Sequence, residues 1–232
     1  MNIAIIPARA GSKRIKNKNI VNFFGKPLIY NSIKIAIKSK LFDDVIVSTD
    51  SAKIQKIAQK YGAKVYFKRP KSLSGDYTGT PSVINHAIEW VQKNLYNPEY
   101  VCCIYPTAVS LCEKDLINAY QKIKTNKFNF VFAANKYSHP PQRGFNLTND
   151  NRINFKNFKF YKVRTQDLKP MYHDAGQFYW GKTNSWLLKK SAFTKNSCVE
   201  VLSNFKSIDI DNKEDLELAK KIHLLNKKKS TL

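Results

Sequence analysis

Five cations crowd one short stretch near the start of the chain. In IIPARAGSKRIKNKN, Ile5 to Asn19, the side chains of Arg9, Lys13, Arg14, Lys16 and Lys18 surround Gly11 and Ser12. Glycine and serine allow close backbone approach to a ligand, and successive backbone N–H groups in such a turn make an anion-binding concavity. Asn19 adds an amide able to read a sugar hydroxyl or a base edge. The combination reads as a cradle for a polyanion, and a nucleoside triphosphate is the polyanion it suits. The stretch is not a Walker A loop, because G-x-x-x-x-G-K-[ST] is absent and GKP at Gly25 to Pro27 does not supply it. Nor is it a dinucleotide fingerprint, since G-x-G-x-x-G is missing. The competing reading is a cationic surface loop.

The second constellation is SIDID, Ser207 to Asp211. Carboxylates at i and i+2 on an extended segment share a face, about 7 Å apart along the chain. Like charges that close need a cation between them. Hard oxygen ligands beside a phosphate substrate favour Mg²⁺, which takes one or two carboxylates plus phosphate oxygens; a lysine partner, or Asp211 as N-cap of the last helix, are the alternatives. A third stretch is KRPKSLSGDYTGT, Lys68 to Thr80. Arg69 precedes Pro70 and is held extended, and the Gly, Ser and Thr residues that follow offer donors for the edge of a pyrimidine. Two more stretches complete the set: IYPTA, Ile104 to Ala108, and HDAGQFYWG, His173 to Gly181, where aromatics interleave with glycines as in a sugar pocket or a packed core.

Something must bring these stretches together. Short apolar runs, NIAIIP, DVIVST, AKVYFK, YVCCIYP and NFVFAA, alternate with longer amphipathic ones, KPLIYNSIKIAIKSK, DSAKIQKIAQKYG, TPSVINHAIEWVQKN and EKDLINAYQKIKTN. The first set predicts strands covered on both faces and the second helices, with Pro27 and Pro81 suited to a first turn and Gly62 to a C-cap. Right-handed β-α-β crossovers then give a Rossmann-like open, mostly parallel sheet with helices on both faces. Ligands bind at the carboxyl ends of such strands, where the opening loop and IYPTA fall. After Asn135 the rhythm breaks. The segment at about 136–175 predicts a small antiparallel excursion, suited to dimerisation, inside a single domain spanning 1–232. Regular structure resumes with GQFYWGK, SCVEVL, KSIDID and a final helix NKEDLELAKKIHLLNKK.

Composition narrows the classes. With 232 residues, 43% hydrophobic and 25% charged, the chain is globular and neither disordered nor fibrous. No run reaches the roughly 18 apolar residues of a spanning helix, and the apolar part of the N-terminus is too short for a signal peptide, so the expected location is the cytoplasm, away from a membrane. Cys102, Cys103, Cys112 and Cys198 lack C-x-x-C or histidine spacing, which predicts reduced thiols rather than zinc or disulfides. The net charge of +23 raises a nucleic-acid partner as the rival class. The lysines are spread over nearly every predicted helix, however, which fits a solvated surface that attracts anionic substrates.

In this order the motifs resemble those of the CMP-sugar synthetase family, cytidylyltransferases that activate nine-carbon and eight-carbon acidic sugars. IPARAGSKRIKNKN is similar to the family's first motif, VIVSTD and FKRP to its second and third, and SIDID to its metal motif; the likeness runs from Ile3 to about Leu225. IYPTA with HDAGQFYWG resembles the pseudaminic acid cytidylyltransferase branch. Ala10 stands where Gly or Ser is usual, and AVSL at Ala108 to Leu111 where a proline commonly follows.

The resemblance implies that Arg9, Ser12, Lys13 and Lys18 bind the triphosphate of CTP and that Asn19 meets the ribose or base. Arg69 and the loop of Asp76, Thr78, Gly79 and Thr80 would hold cytosine. Asp209 and Asp211 would hold Mg²⁺, and Tyr105, Thr107, Gln177, Phe178 and Tyr179 the acidic nine-carbon sugar. Arg9, Lys13 and Asp211 are then the catalytic set, with metal activation in place of a protein base. The implied reaction is transfer of CMP to the anomeric hydroxyl with release of pyrophosphate, and loss of either aspartate should remove activity while leaving the fold intact. N-acetylneuraminic and legionaminic acids are the alternative sugars. A homodimer in which the excursion covers the partner's sugar site, and product use in surface or flagellar glycosylation, are also implied by resemblance alone.

Overall fold

A computed structural model describes residues 1–229, with side-chain detail to residue 225. Strand β1 (Asn2–Pro7) is followed by a two-residue ribbon, β2 (Asn22–Phe23) and β3 (Lys26–Pro27), and helix α1 (Ile29–Ser39). Then come β4 (Asp44–Ser48), α2 (Ala52–Lys60), α3 (Thr80–Asn94), β5 (Tyr100–Ile104), α4 (Glu113–Lys124) and β6 (Phe130–Lys136). A hairpin, β7 (Phe145–Leu147) and β8 (Ile153–Phe155), precedes β9 (Tyr172–Lys182), α5 (Thr183–Leu187), β10 (Ser197–Leu202) and α6 (Lys213–Lys229). The central sheet runs β10-β6-β9-β5-β1-β4. β1 pairs in parallel with β4 and β5, and β10 with β6, while β9 is antiparallel to both β5 and β6. The mostly parallel α/β sheet expected from the strand and helix rhythm is therefore what forms.

The apolar strand runs have two faces to fill. Ile3 and Ile5 of β1 pack with Ile46, Val101 and Cys103 against Ile84, Ile88 and Val91 of α3 and Trp186 of α5. Their neighbours Ala4 and Ile6 turn the other way, onto Ile29 and Ile33 of α1, Ala58 of α2 and Leu116 and Ile123 of α4. Each wholly buried isoleucine contributes about 1.5–3 kcal/mol, so an alternating pair on β1 ties it to both helix layers. Close approach is required at Gly181, where a Cβ would lie 2.5 Å from Trp186 Nε1 and 2.6 Å from Phe130. Trp186 Nε1 in turn donates to Val101 O at 3.2 Å.

Two local expectations change and two hold. AKVYFK does not form a strand: it makes two isolated bridges, Ile46↔Lys64 and Thr49↔Lys68, beside β4. The reason is packing, since consecutive Tyr66 and Phe67 both contact Trp90 of α3 and break the two-residue alternation a strand needs. Pro27 ends the small ribbon rather than entering α1, whereas Pro81 does sit in the first turn of α3. Gly62, with φ +93°, ends α2 in a Schellman arrangement, Gly62 N–H donating to Gln59 O at 3.0 Å and Ala63 N–H to Ala58 O at 3.1 Å.

The excursion is narrower than 136–175, because Lys136 ends β6 and Tyr172 begins β9, and these two residues pair. Between them lie the β7–β8 hairpin and three short 3₁₀ turns, with Phe145, Leu147, Ile153, Phe158 and Tyr161 exposed. All four cysteines are free thiols, Cys102 and Cys103 buried and Cys112 and Cys198 partly so. Among the described residues no helix is long and apolar enough to cross a membrane.

Candidate active site

A cleft of about 360 Å³ opens beyond the carboxyl ends of β1 and β5, lined by residues of five separate stretches. The opening loop contributes Arg9, Ser12, Lys13, Arg14, Lys18 and Asn19; the segment after β4 contributes Arg69, Gly75, Thr78 and Thr80. Tyr105, Pro106 and Thr107 follow β5, Asp174 and Gly176 come from β9, and Asp209 and Asp211 from SIDID.

The opening loop is held by its own backbone. Ala8 N–H donates to Ser48 O at 2.9 Å and Ala10 N–H to Asp50 Oδ1 at 2.9 Å, which tie the loop to the end of β4. Asn19 is buried, and its amide donates to Arg9 O at 2.8 Å. That bond gives Asn19 a loop-shaping task besides the contact with sugar or base expected of it. Lys16 does not line the cleft, whereas Arg14 does.

Asp209 and Asp211 reach the cleft because of the residue between them. Ile210 is wholly buried in a third apolar cluster with Ile15, Phe23, Leu28, Val109, Leu216 and Ala219. An extended chain that buries Ile210 must turn the flanking side chains the other way. Asp209 is exposed to the cleft, yet partial desolvation by the cleft wall first, and the Asp211 charge second, push its carboxyl above the usual carboxylate range, with Lys18 partly opposing. Asp211 Oδ1 lies 2.8 Å from Arg14 Nη2 and 3.5 Å from Lys18 Nζ, and Lys18 Nζ also donates to Ile210 O at 2.8 Å. Asp211 does not cap α6. Asn212 does, its Oδ1 accepting from Asp215 N–H at 3.0 Å while Asp215 accepts from the N–H groups of Asp211 and Asn212, each at 2.9 Å.

The donor set is suited to a hard divalent cation. Among the described residues no group of three acidic, histidine or cysteine side chains is placed to hold a metal. Two carboxylates sharing a cleft with cations for a polyphosphate leave the remaining positions to phosphate oxygens and water, as Mg²⁺ prefers. A cation there would offset the Asp211 charge that adds to the Asp209 shift.

Arg69 is only 4% exposed. Its Nε donates to Ser48 Oγ at 3.1 Å and its Nη2 to Ser48 O, and desolvation pulls its pKa down to about 10. The guanidinium is thus locked at the end of β4 with its edge on the cleft. Thr78 and Thr80 also line the cleft, Thr80 Oγ1 sharing a hydrogen bond with Tyr105 OH at 3.1 Å. Gly79 is the N-cap residue of α3 and does not line it. Asp76 lies outside the lining as well: its carboxylate meets Arg9 Nη1 at 2.7 Å and Lys13 Nζ at 2.6 Å.

The sugar candidates divide. Tyr105 and Thr107 line the cleft. Phe178 does not: it is wholly buried in the core on the α1–α4 side, as the alternation of β9 requires once Tyr179 faces the other way. Gln177 is 1% exposed, and its Nε2 donates to Ala175 O at 3.0 Å and Ile208 O at 3.4 Å, so it braces the segment carrying Asp209. Tyr179 donates its hydroxyl to Asp174 Oδ2, and burial pushes its pKa far up.

Asp174 is the cleft residue that the choice of positions 177 to 179 passed over. A bulge in β9 between Asp174 and Tyr179 carries it there, and Gly176, with φ +60°, donates its N–H to Asp174 Oδ1 at 2.9 Å. A Cβ on Gly176 would stand at ordinary contact distance, 3.5 Å, from Asp209 Oδ2, so the strand passes beside the acid pair and it is the left-handed φ that calls for glycine there. The signal was the acid and glycine of HDAG, inside the stretch already singled out.

Comparison with known proteins adds to this geometry. The model of a family described as cytidylyltransferase matches residues 3–230. The chain is 45% identical over 225 residues to a pseudaminic acid cytidylyltransferase of Campylobacter jejuni subsp. jejuni serotype O:2, covering 97% of each chain. It is 31% identical over 219 residues to an N-acylneuraminate cytidylyltransferase of Escherichia coli O18:K1:H7, covering 94% of this chain and 51% of that one. Among solved structures, a CMP:2-keto-3-deoxy-manno-octonic acid synthetase complexed with CTP shares the fold with a TM-score of 0.71 at 15% identity, over 97% of this chain and 99% of that one.

Proposed function

The chain belongs to the cytidylyltransferase family, and from that premise we propose that it transfers CMP from CTP to the anomeric hydroxyl of a nonulosonic acid, pseudaminic acid, with release of pyrophosphate. The observation that carries this reading is the cleft itself, where Arg9, Lys13, Arg14 and Lys18 converge with Asp209 and Asp211. Cations for a polyphosphate and a carboxylate pair for a divalent cation in one cleft are what nucleotidyl transfer needs.

The hydroxyl oxygen of the sugar attacks the α-phosphorus in line, and the bond to the bridging oxygen of the β-phosphate breaks. Arg9 and Lys13 compensate the charge that gathers on the departing pyrophosphate, while Lys18, held by Ile210 O, is fixed beside Asp211. Arg69 presents a pre-oriented guanidinium edge to the base, and Thr78 and Thr80 add hydroxyls next to it. Tyr105, Thr107 and Asp174 form the part of the cleft assigned to the sugar. Mg²⁺ would be held by Asp209 and Asp211, and when bound it lowers the pKa of the attacking hydroxyl and polarises the α-phosphate.

The choice of pseudaminic acid follows the relative that is 45% identical, and the 31% identical relative makes N-acetylneuraminic acid the competitor, with legionaminic acid a third sugar to test. The working location is the cytoplasm, where CTP is made. The exposed apolar side chains of the β7–β8 excursion support a homodimer. Pyrophosphate release tests the reading: CTP with Mg²⁺ and pseudaminic acid should give release, ATP, GTP and UTP should not, and release with N-acetylneuraminic acid alone would keep the reaction but overturn the sugar.

A further inference from the structure

We infer that Asp76 stands in for phosphate: its carboxylate pairs with Arg9 and Lys13, and an incoming triphosphate competes with it for them. This inference rests on reading the opening loop as the triphosphate site. Each oxygen of Asp76 takes one cation, Oδ1 with Arg9 Nη1 at 2.7 Å and Oδ2 with Lys13 Nζ at 2.6 Å. That is how a phosphate bridges two cationic side chains. Among the described residues, no other acid pairs with Arg9 or Lys13.

The pairing is placed to be reversible. Asp76 meets the two cations from outside the cleft lining to which both belong. Its side chain is one-third exposed, so water competes for it. The stretch Gly75, Asp76, Tyr77, Thr78, Gly79 lies between a 3₁₀ turn and α3, is bounded by a glycine at each end, and leaves Tyr77 fully exposed. Its internal tie is a single turn bond, Thr78 N–H to Gly75 O at 3.3 Å. Lys13, and then Arg9, hold the Asp76 carboxyl below the usual range, so it is charged at neutral pH. A phosphate group competes with the carboxylate for the N–H donors of these two cations, and full engagement of both by the nucleotide draws the loop away. Asp76 is on this account a positioning residue: it keeps Arg9 and Lys13 ordered and neutralised until CTP replaces it, and it lowers the apparent affinity by the fraction of time it holds them.

Calorimetric titration of the full-length protein with inorganic tripolyphosphate and with Mg–CTP tests this on wild type, Asp76→Asn and Asp76→Glu. Asp76→Asn should bind both ligands roughly 3- to 10-fold more tightly, the range expected when two partly exposed ion pairs no longer compete. Asp76→Glu, which keeps the charge, should stay near wild type, and the KM for the sugar should be unchanged in Asp76→Asn. Equal or weaker binding by Asp76→Asn, with wild type binding normally, would overturn the displacement role and leave the triphosphate site standing. No binding of tripolyphosphate or CTP by any of the three proteins would overturn the site assignment, and the inference with it.

Discussion

Truncating Ile210 tests whether the acid pair is positioned by the apolar residue between its members. Ile210 is wholly buried, enclosed by Ile15 of the opening loop, Leu28 before α1, Val109 after β5 and Leu216 and Ala219 of α6. Ile210→Ala removes buried carbon that these neighbours can only partly follow, so the cost falls in the range of about 2–5 kcal/mol for such changes, with about 3–4 expected at a fully enclosed position. For a chain of this size that is a fall in Tm of about 6–16 °C. Ile210→Val should cost only about 1 kcal/mol. The functional consequence is separate. With its anchor loosened, the segment no longer fixes Asp209 and Asp211, and a displacement of about 1 Å costs on the order of 10²-fold in rate. Thermal denaturation and pyrophosphate release measured at 15 °C, where Ile210→Ala is still folded, check both. If Ile210→Ala loses the expected stability but turns over within twofold of wild type, Ile210 is core packing alone and the positioning argument fails.

Three further outcomes follow from the same geometry. Partial desolvation and the Asp211 charge raise the Asp209 pKa in the folded protein, so its ionised form opposes folding at neutral pH, by an amount that solvent screening at this exposed side chain keeps small, and the penalty fades as pH falls into the aspartate range. Asp209→Asn should therefore melt no lower than wild type at pH 7, the gap should shrink towards pH 4.5, and kcat should fall by about 10²-fold or more; a lower Tm at pH 7 would contradict the sign. Burial lowers the His86 pKa, with Glu89 opposing and Arg69 reinforcing, so the folded state resists protonation and stability is lost as pH drops below the ordinary histidine value of 6.5. In His86→Phe the slope of Tm against pH below 6.5 should flatten, and an unchanged slope would count against His86 as its source. Asp174→Asn removes a charged acceptor from the part of the cleft assigned to the sugar and should lower kcat/KM for the sugar by about 10- to 100-fold while KM for CTP stays put; a matching rise in both KM values would move Asp174 out of sugar recognition.

Much of this architecture was legible because it rests on local pattern. The runs NIAIIP and YVCCIYP state by composition alone that both sheet faces are covered, and the loops after them had to carry the site. The spacing of SIDID put two carboxylates on one face with Ile210 on the other. What the sequence hid depends on distant partners. Nothing local says that β9 inserts antiparallel between β5 and β6, or that a bulge delivers Asp174 to the cleft. The meeting of Asp76 with Arg9 joins stretches that share no periodicity. AKVYFK read as a strand because its composition is β-rich, and contacts with distant residues, Trp90 for both rings, His86 for Phe67 and Asp44 for the Tyr66 hydroxyl, set Tyr66 and Phe67 in place. One miss was readable, since the alternation of GQFYW already separates Phe178 from Gln177 and Tyr179; NKED, a helix-capping sequence, likewise argued against the capping alternative for Asp211.

The most direct test of the central claim is the ³¹P NMR spectrum of one reaction containing the protein, CTP, Mg²⁺ and pseudaminic acid. The account predicts that the three triphosphate resonances give way to one phosphodiester resonance and to pyrophosphate in equal amounts, with Asp211→Asn leaving CTP unchanged. Appearance of CMP and pyrophosphate without the phosphodiester, or of CDP and inorganic phosphate, would mean that the α-phosphorus is not passed to the sugar and would contradict it.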